Sequence, residues 1–295
     1  MNGLDLSIER RKPLIEAGLG AVVLPVMVLG GLLAVIYHEV LFRMGLQWYV
    51  DQDASHGFLV PFLSVYFIWE RRQQLQTLPV MPSIWGAGVL GIGLLMLVMG
   101  LGGAELYLQR SSLIVVLAGL VLLILGPAFL RGLAFPIAFL FFMVPLPAIV
   151  INAVAFPLQL FAAKAAAFCL YNVGIPVLRE GNVIFLASTQ LEVAEACSGI
   201  RSLQSLLALG TVFAYFSQSR MWKRWALVLL SIPIAILANA FRVSGTGVLA
   251  HYWGAEAAEG FYHTFSGWLI FVVAFGLLLA CGVGLSKIGR QPKTI

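Results

Sequence analysis

Eight apolar runs, near residues 18–37, 57–69, 84–101, 111–126, 133–147, 198–216, 226–247 and 262–284, account for about half of this chain of 295 residues. Several approach the ~20 apolar residues that a helix needs to cross a bilayer, where each helix satisfies its own backbone hydrogen bonds. The strand-by-strand alternation of a membrane barrel is absent. Composition agrees, since 61% of the residues are hydrophobic and only 11% are charged, against roughly 25% charged in an ordinary soluble domain. The sequence predicts an all-α polytopic membrane protein with about eight transmembrane helices, forming one integral-membrane domain over residues 1–295.

Charge sets the expected orientation. Arg10, Arg11 and Lys12, Arg71 and Arg72, Arg131, Arg220, Lys223 and Arg224, and Lys287, Arg290 and Lys293 cluster between runs, whereas 102–109 and 251–260 hold acids with few or no bases. By the positive-inside rule the basic segments are cytoplasmic, which puts both termini inside and requires an even number of spans. The net charge of +5 then reflects membrane orientation and does not call for nucleic acid. The basic ERRKP before the first run, with no small-residue cleavage site before Tyr37, reads as a retained signal-anchor. Residues 148–172 carry Asn152, Pro157, Gln159 and Lys164 in a helical apolar stretch, and are expected to form an interfacial or re-entrant helix on the outer face. The following IPVLREGNVIFLASTQLEVAEA has alternation and a Gly-Asn pair, predicting a small β-hairpin with its turn near Glu180 to Asn182.

Chemistry concentrates where that hairpin meets the sixth run, at EACSGIRSL. Cys197 is expected at the N-cap or first turn of a helix, where the positive dipole end favours thiolate. Arg201, four residues on, would share its helical face and stabilise a thiolate or hold an anionic substrate group. Ser198 and Gly199 are small and leave the sulfur and the first-turn N–H groups accessible to a reacting oxygen. Cys169 in AAAFCLY and Cys281 in LLACGVG lack polar neighbours and read as small buried hydrophobes.

A thiolate also needs a proton shuttle and an oxyanion partner. Asn239 and Arg242, in LANAFRVSGTG, are three apart and share one face near the outer end of the seventh run. An arginine inside a span is costly and marks function by default. His263, in FYHTFSGW, opens the eighth run with Gly267 one turn below. Topology thus brings a cysteine, an arginine and a histidine to one depth on the outer side. His56, close to Asp51 and Asp53, either touches substrate or caps the short second helix; Glu192 and Glu195 shape the hairpin.

In EACSGIRSL, NAFRV and HTFSGW, in that order and each at the mouth of a run, the chain resembles the exosortase/archaeosortase family of membrane cysteine transpeptidases. SHGFLVPFLSVYFIWERR, residues 55–72, supports the likeness. The resemblance implies an enzyme of the bacterial cytoplasmic membrane acting at its outer face. It implies further that Cys197 is the nucleophile, completed by Arg242 and His263, and that the substrates are exported proteins anchored by a C-terminal sorting signal of the PEP-CTERM kind. Arg201, Ser198, Asn239 and His56 are the expected substrate-side residues, and no cofactor or metal is required. Two other readings stay open. Four histidines on the predicted outer side permit a metal-dependent protease or metal transporter, although no His-Glu-x-x-His helix occurs. Abundant glycine and proline permit a small-molecule transporter with a broken helix at 148–172.

Overall fold

The computed structural model describes residues 19–51, 53–187, 189–193, 199–254 and 261–288. It is an all-α polytopic membrane protein with one small three-stranded sheet. The chain divides into two compact units, Met1–Pro147 and Ala148–Ile295.

In the first unit, α1 (Leu19–Val50) leads through a 3-10 turn (Ser55–Phe58) into α2 (Leu59–Glu70) and α3 (Arg72–Gln76); α4 (Trp85–Gly102), α5 (Leu106–Ile124) and α6 (Pro127–Phe139) follow, and a second 3-10 turn (Leu140–Met143) closes it. Glycine makes the α4–α5 pair. Gly86, Gly93 and Gly100 recur every seven residues along α4, and side chains there would collide with Leu123, Val116 and Gln109 of α5. The backbones therefore meet at the close approach that small residues permit between membrane helices. Tyr37 of α1 joins this pair. Its hydroxyl lies 2.9 Å from Ser112 Oγ, which donates to the Gln109 carbonyl at 2.6 Å, while Gln109 Nε2 donates to the Gly100 carbonyl at 2.8 Å.

Pro136 inside α6 cannot donate to the Gly132 carbonyl four residues back. Arg71 Nη1 donates to that carbonyl instead, at 3.3 Å, and Ser64 Oγ donates to the Pro136 carbonyl at 2.8 Å. Between these polar ties Phe67 is fully buried, 5.0 Å from the Phe135 ring and 5.3 Å from that of Phe139.

The second unit contains α7 (Ala148–Asn172), the sheet β1 (Val177–Glu180), β2 (Val183–Leu186) and β3 (Gln190–Glu192), and then α8 (Ile200–Ser217), α9 (Met221–Trp253) and α10 (Phe261–Lys287). The hairpin turn falls at Gly181 and Asn182, with Glu180 paired to Val183 and Gly181 at φ +61°. Glycine suits the left-handed first position of such a two-residue connection. A third strand joins the expected hairpin, antiparallel to β2. The sheet seats Ile184 and Leu186 on Ala163, Ala166 and Leu170 of α7 and on Val243 and Ala250 in the upper half of α9. A second apolar core, Leu206, Leu227, Ala235, Ala274 and Leu278, binds α8, α9 and α10 below it. At the far end Lys223 Nζ donates to the Ile288 carbonyl at 2.6 Å, a cation at the C-terminal end of α10 where the helix dipole favours one.

The spans differ in detail from the eight expected. Among the described residues six helices are long and apolar enough to cross a membrane: Met27–Val50 within α1, α4, α5, α7, α9, and Phe265–Lys287 within α10. The run at 57–69 yields α2 with 12 residues and that at 133–147 overlaps α6 with 13, about 18–20 Å of helix against a ~30 Å hydrocarbon core. The run at 198–216 becomes α8, whose first two turns carry Arg201, Ser202, Gln204 and Ser205; it is not among the six. Conversely α7, expected to lie in the interface, is a continuous helix of 25 residues through Pro157 and is long enough to span. Its bounds are those expected for the helix; its scattered polar residues were what argued for the interface.

Candidate active site

The site is built on one turn of α9. Asn239 and Arg242 stand three residues apart on one helical face; Asn239 is 5% exposed and Arg242 half-buried. α9 continues to Trp253, so Arg242 lies eleven residues before its end and not near an outer terminus at 247 as expected.

Gly199 meets Asn239. It caps α8 in the left-handed conformation, φ +80° and ψ +4°, and its carbonyl accepts the first helical bond from Leu203 N at 2.9 Å. A methyl group at Gly199 would come within 2.7 Å of Asn239 Cγ and 2.8 Å of its Cβ. The helix that follows EACSG is thereby seated on α9. It begins at Ile200, three residues after Cys197, so α8 does not supply the one-turn relation expected between positions 197 and 201. Arg201 is exposed in its first turn, and Ser202 faces the cleft described below.

Arg242 meets Gly267 of α10. A methyl group there would lie 3.1 Å from the guanidinium Cζ and Nη2. Gly267 follows His263 by four residues in a continuous helix, so the two positions share a face one turn apart. The guanidinium thus rests on the helical face that carries His263. Cys197 and Ser198 lie outside the described residues, as does the His263 side chain; α10 gives the place of His263 in its first turn.

Below these contacts a narrow cleft runs between the three helices. Ser202, Asn239 and Arg242 supply its polar lining, and Gly267, Ile270 and Phe271 line it from one face of α10.

The described residues on either side of 194–198 are tied in place. Val193 is fully buried, and its N–H donates to the Asn182 carbonyl at 2.9 Å while Asn182 Nδ2 donates to the Val193 carbonyl at 3.2 Å. Six residues later Gly199 is seated against Asn239. Asn182 was visible in the sequence as a turn residue; its second task, tying down the approach to Cys197, has no local signature.

His56 belongs to the first unit. Its Nδ1 lies 3.1 Å from the Asp53 carbonyl, and it also bonds to the Phe142 backbone. Trp48 Nε1 donates to the neighbouring Met143 carbonyl at 2.9 Å, and its ring meets Phe58 edge-on at 5.2 Å. Burial lowers the His56 pKa below its ordinary value, opposed by those two backbone bonds and by the carboxylates of Asp51 and Asp53. Cys281 packs at the edge of the lower core and Cys169 is half-buried on α7. Among the described residues no three of His, Cys, Asp and Glu gather as a metal site would require.

Residues 48–280 match the family model of the transmembrane exosortase, EpsH type. Comparison with curated proteins finds no match, and neither does comparison with solved structures.

Proposed function

The chain belongs to the transmembrane exosortase family, a family of membrane sorting transpeptidases, and from that premise we propose that it cleaves C-terminal PEP-CTERM-like sorting signals through a Cys197 acyl-enzyme. The observation that carries the reading is the pair of contacts on one turn of α9, Gly199 on Asn239 and Arg242 on Gly267. They draw the approach to Cys197, the arginine and the helix bearing His263 toward one cleft.

The Cys197 thiolate attacks the scissile carbonyl, forming the C–S bond, and Arg242 stabilises the tetrahedral oxyanion with help from first-turn N–H groups of α8. Collapse to the thioester breaks the C–N bond, and His263 delivers a proton to the departing amine. It then takes one from the acceptor that releases the acyl group. Arg201 and Ser198 stand on the substrate side, Asn239 holds the floor of the site, and His56 is a further candidate contact for the signal. Anchoring enzyme and substrate in one membrane supplies effective concentration. The bases between spans support a site on the outer face of the bacterial cytoplasmic membrane with both termini inside, one integral-membrane domain serving one reaction. The chemistry calls on no cofactor, metal or nucleic acid.

A metal-dependent membrane protease would survive Cys197→Ala and be lost to a chelator; a transporter would show solute flux independent of Cys197. The direct test is co-expression with a tagged protein ending in a Pro-Glu-Pro-type signal, span and basic tail. Wild type trims the tag and Cys197→Ala leaves it whole, with the new C-terminus identifying the acceptor. Equal trimming by Cys197→Ala removes the thiol mechanism.

A further inference from the structure

The sheet of the second unit ends in an open edge beside the approach to Cys197. In the β2–β3 ladder, Leu186 N bonds to the Thr189 carbonyl at 2.8 Å and Val193 N to the Asn182 carbonyl at 2.9 Å. Bonded pairs alternate along an antiparallel ladder. Leu191, paired with Ile184, therefore also turns its main-chain groups toward β2, whereas Gln190 and Glu192 turn theirs away from the sheet. Among the described residues the contact made to these outward groups is a long one, from Thr189 Oγ1 to the Gln190 carbonyl at 3.5 Å. Both residues are exposed.

We propose that this edge binds an extended segment of the polypeptide substrate as a fourth strand, through the N–H and C=O groups of Gln190 and Glu192. The inference rests on the sorting function above, which makes the substrate a polypeptide. Three observations favour this occupant. An edge strand with unpaired main-chain groups is a template for a further strand and reads backbone without regard to side chain. The edge is rigid, because Leu191 packs against the core on α7 and α9 and Val193 is tied to Asn182. Finally, Cys197 follows Glu192 by five residues, at most about 17 Å of extended chain. A bound strand would pair with residues that precede the nucleophile by that short length of chain.

The register supplies a specific test. Proline at 190 removes an outward N–H and leaves the bonds to β2 intact, as edge strands tolerate. The full-length Cys197→Ala protein in nanodiscs is titrated with a labelled peptide carrying a Pro-Glu-Pro-type segment and its flanking residues. Gln190→Pro weakens binding roughly tenfold, the scale of one or two main-chain bonds, while Gln190→Ala stays within about twofold because its backbone is unchanged. Peptide binding also slows hydrogen exchange at the Gln190 and Glu192 amides. Unaltered protein tested with peptides N-methylated at single positions gives the same answer should the proline variant misfold: affinity is lost at alternate positions only.

Binding without protection of those two amides, or equal effects of alanine and proline, overturns the strand and leaves the sorting function standing. Protection that appears without peptide and grows with protein concentration assigns the edge to a second copy and overturns the proposal. A peptide that fails to bind at all removes the substrate reading and the strand together.

Discussion

Gly199 and Asn239 are in direct contact, with room at Gly199 for a hydrogen and not for a methyl group: a carbon there would lie 2.7 Å from Asn239 Cγ. This contact seats the N-cap of α8 on α9, two residues after Cys197 in the sequence. Gly199→Ala meets two penalties, the overlap and a left-handed backbone at φ +80° that costs a non-glycine residue about 1–2 kcal/mol. Sorting activity is expected to fall at least tenfold, read as processed substrate per unit enzyme. Asn239→Ala in the same chain removes the overlap with Cγ and Nδ2 but leaves Cβ at 2.8 Å and the backbone strain, so the double variant recovers only a small part of the loss. Simple additivity of the two changes would argue that the contact has no bearing on Cys197.

Gly267→Ala separates stability from activity. The substitution places a carbon 3.1 Å from the Arg242 guanidinium, which must shift by a few tenths of an ångström. Alanine is favoured over glycine in a helix interior by about 1 kcal/mol. The variant is expected to unfold at an equal or higher temperature and yet turn over more slowly, with the loss in kcat and not in KM. An equal fall in both melting temperature and rate would point to general disruption.

These glycines show how far the sequence alone could be read. Apolar length and the charge between runs disclosed an all-α membrane protein, and the Gly-Asn pair disclosed a hairpin, because both depend on local composition. The helices that differ from the expected spans are those where composition and length diverge: α7 carries Gln159 and Lys164 yet runs 25 residues, while α2 is apolar over much of its 12. The candidate residues Asn239 and Arg242 were legible because polar groups are conspicuous in an apolar helix. Their partners Gly199 and Gly267 were legible only as small residues, since what they touch is decided by packing between distant helices. The tie between Asn182 and Val193 and the outward edge of β3 depend on ladder register, which no single strand reveals.

Ser111 and Ser112, neighbours in α5, should respond to alanine with opposite sign. Ser112 Oγ is fully buried, lies 2.9 Å from the Tyr37 hydroxyl and donates to the Gln109 carbonyl. Losing it strands a buried phenol, a cost of about 1–3 kcal/mol. Ser111 is 3% exposed and its Oγ has no hydrogen-bond partner among the described residues. Ser111→Ala removes an unsatisfied hydroxyl and is expected to be neutral or stabilising by up to about 1 kcal/mol. Thermal unfolding of the detergent-solubilised variants compares the two.

His56 makes stability fall in mild acid. Burial holds its folded pKa below the ordinary value, although the Asp53 and Phe142 backbone bonds and the Asp51 and Asp53 carboxylates pull the other way. Above the unfolded pKa of about 6.5 the imidazole is neutral in both states and burial carries no charge penalty. As pH drops below that value the unfolded chain takes up a proton that the folded chain resists, so stability declines until the folded pKa is passed. The melting temperature should therefore decrease as pH falls below about 6.5, and His56→Gln should flatten that part of the curve while losing some stability at neutral pH. Because His56 Nδ1 faces the Asp53 carbonyl and Trp48 holds Met143 alongside, the acid-sensitive step is local to this corner of the first unit. Hydrogen exchange at Gly57, whose amide bonds to the Ala54 carbonyl at 2.9 Å, should accelerate relative to intrinsic exchange over the same pH interval in wild type and not in His56→Gln. An unchanged protection factor would place the pH dependence elsewhere.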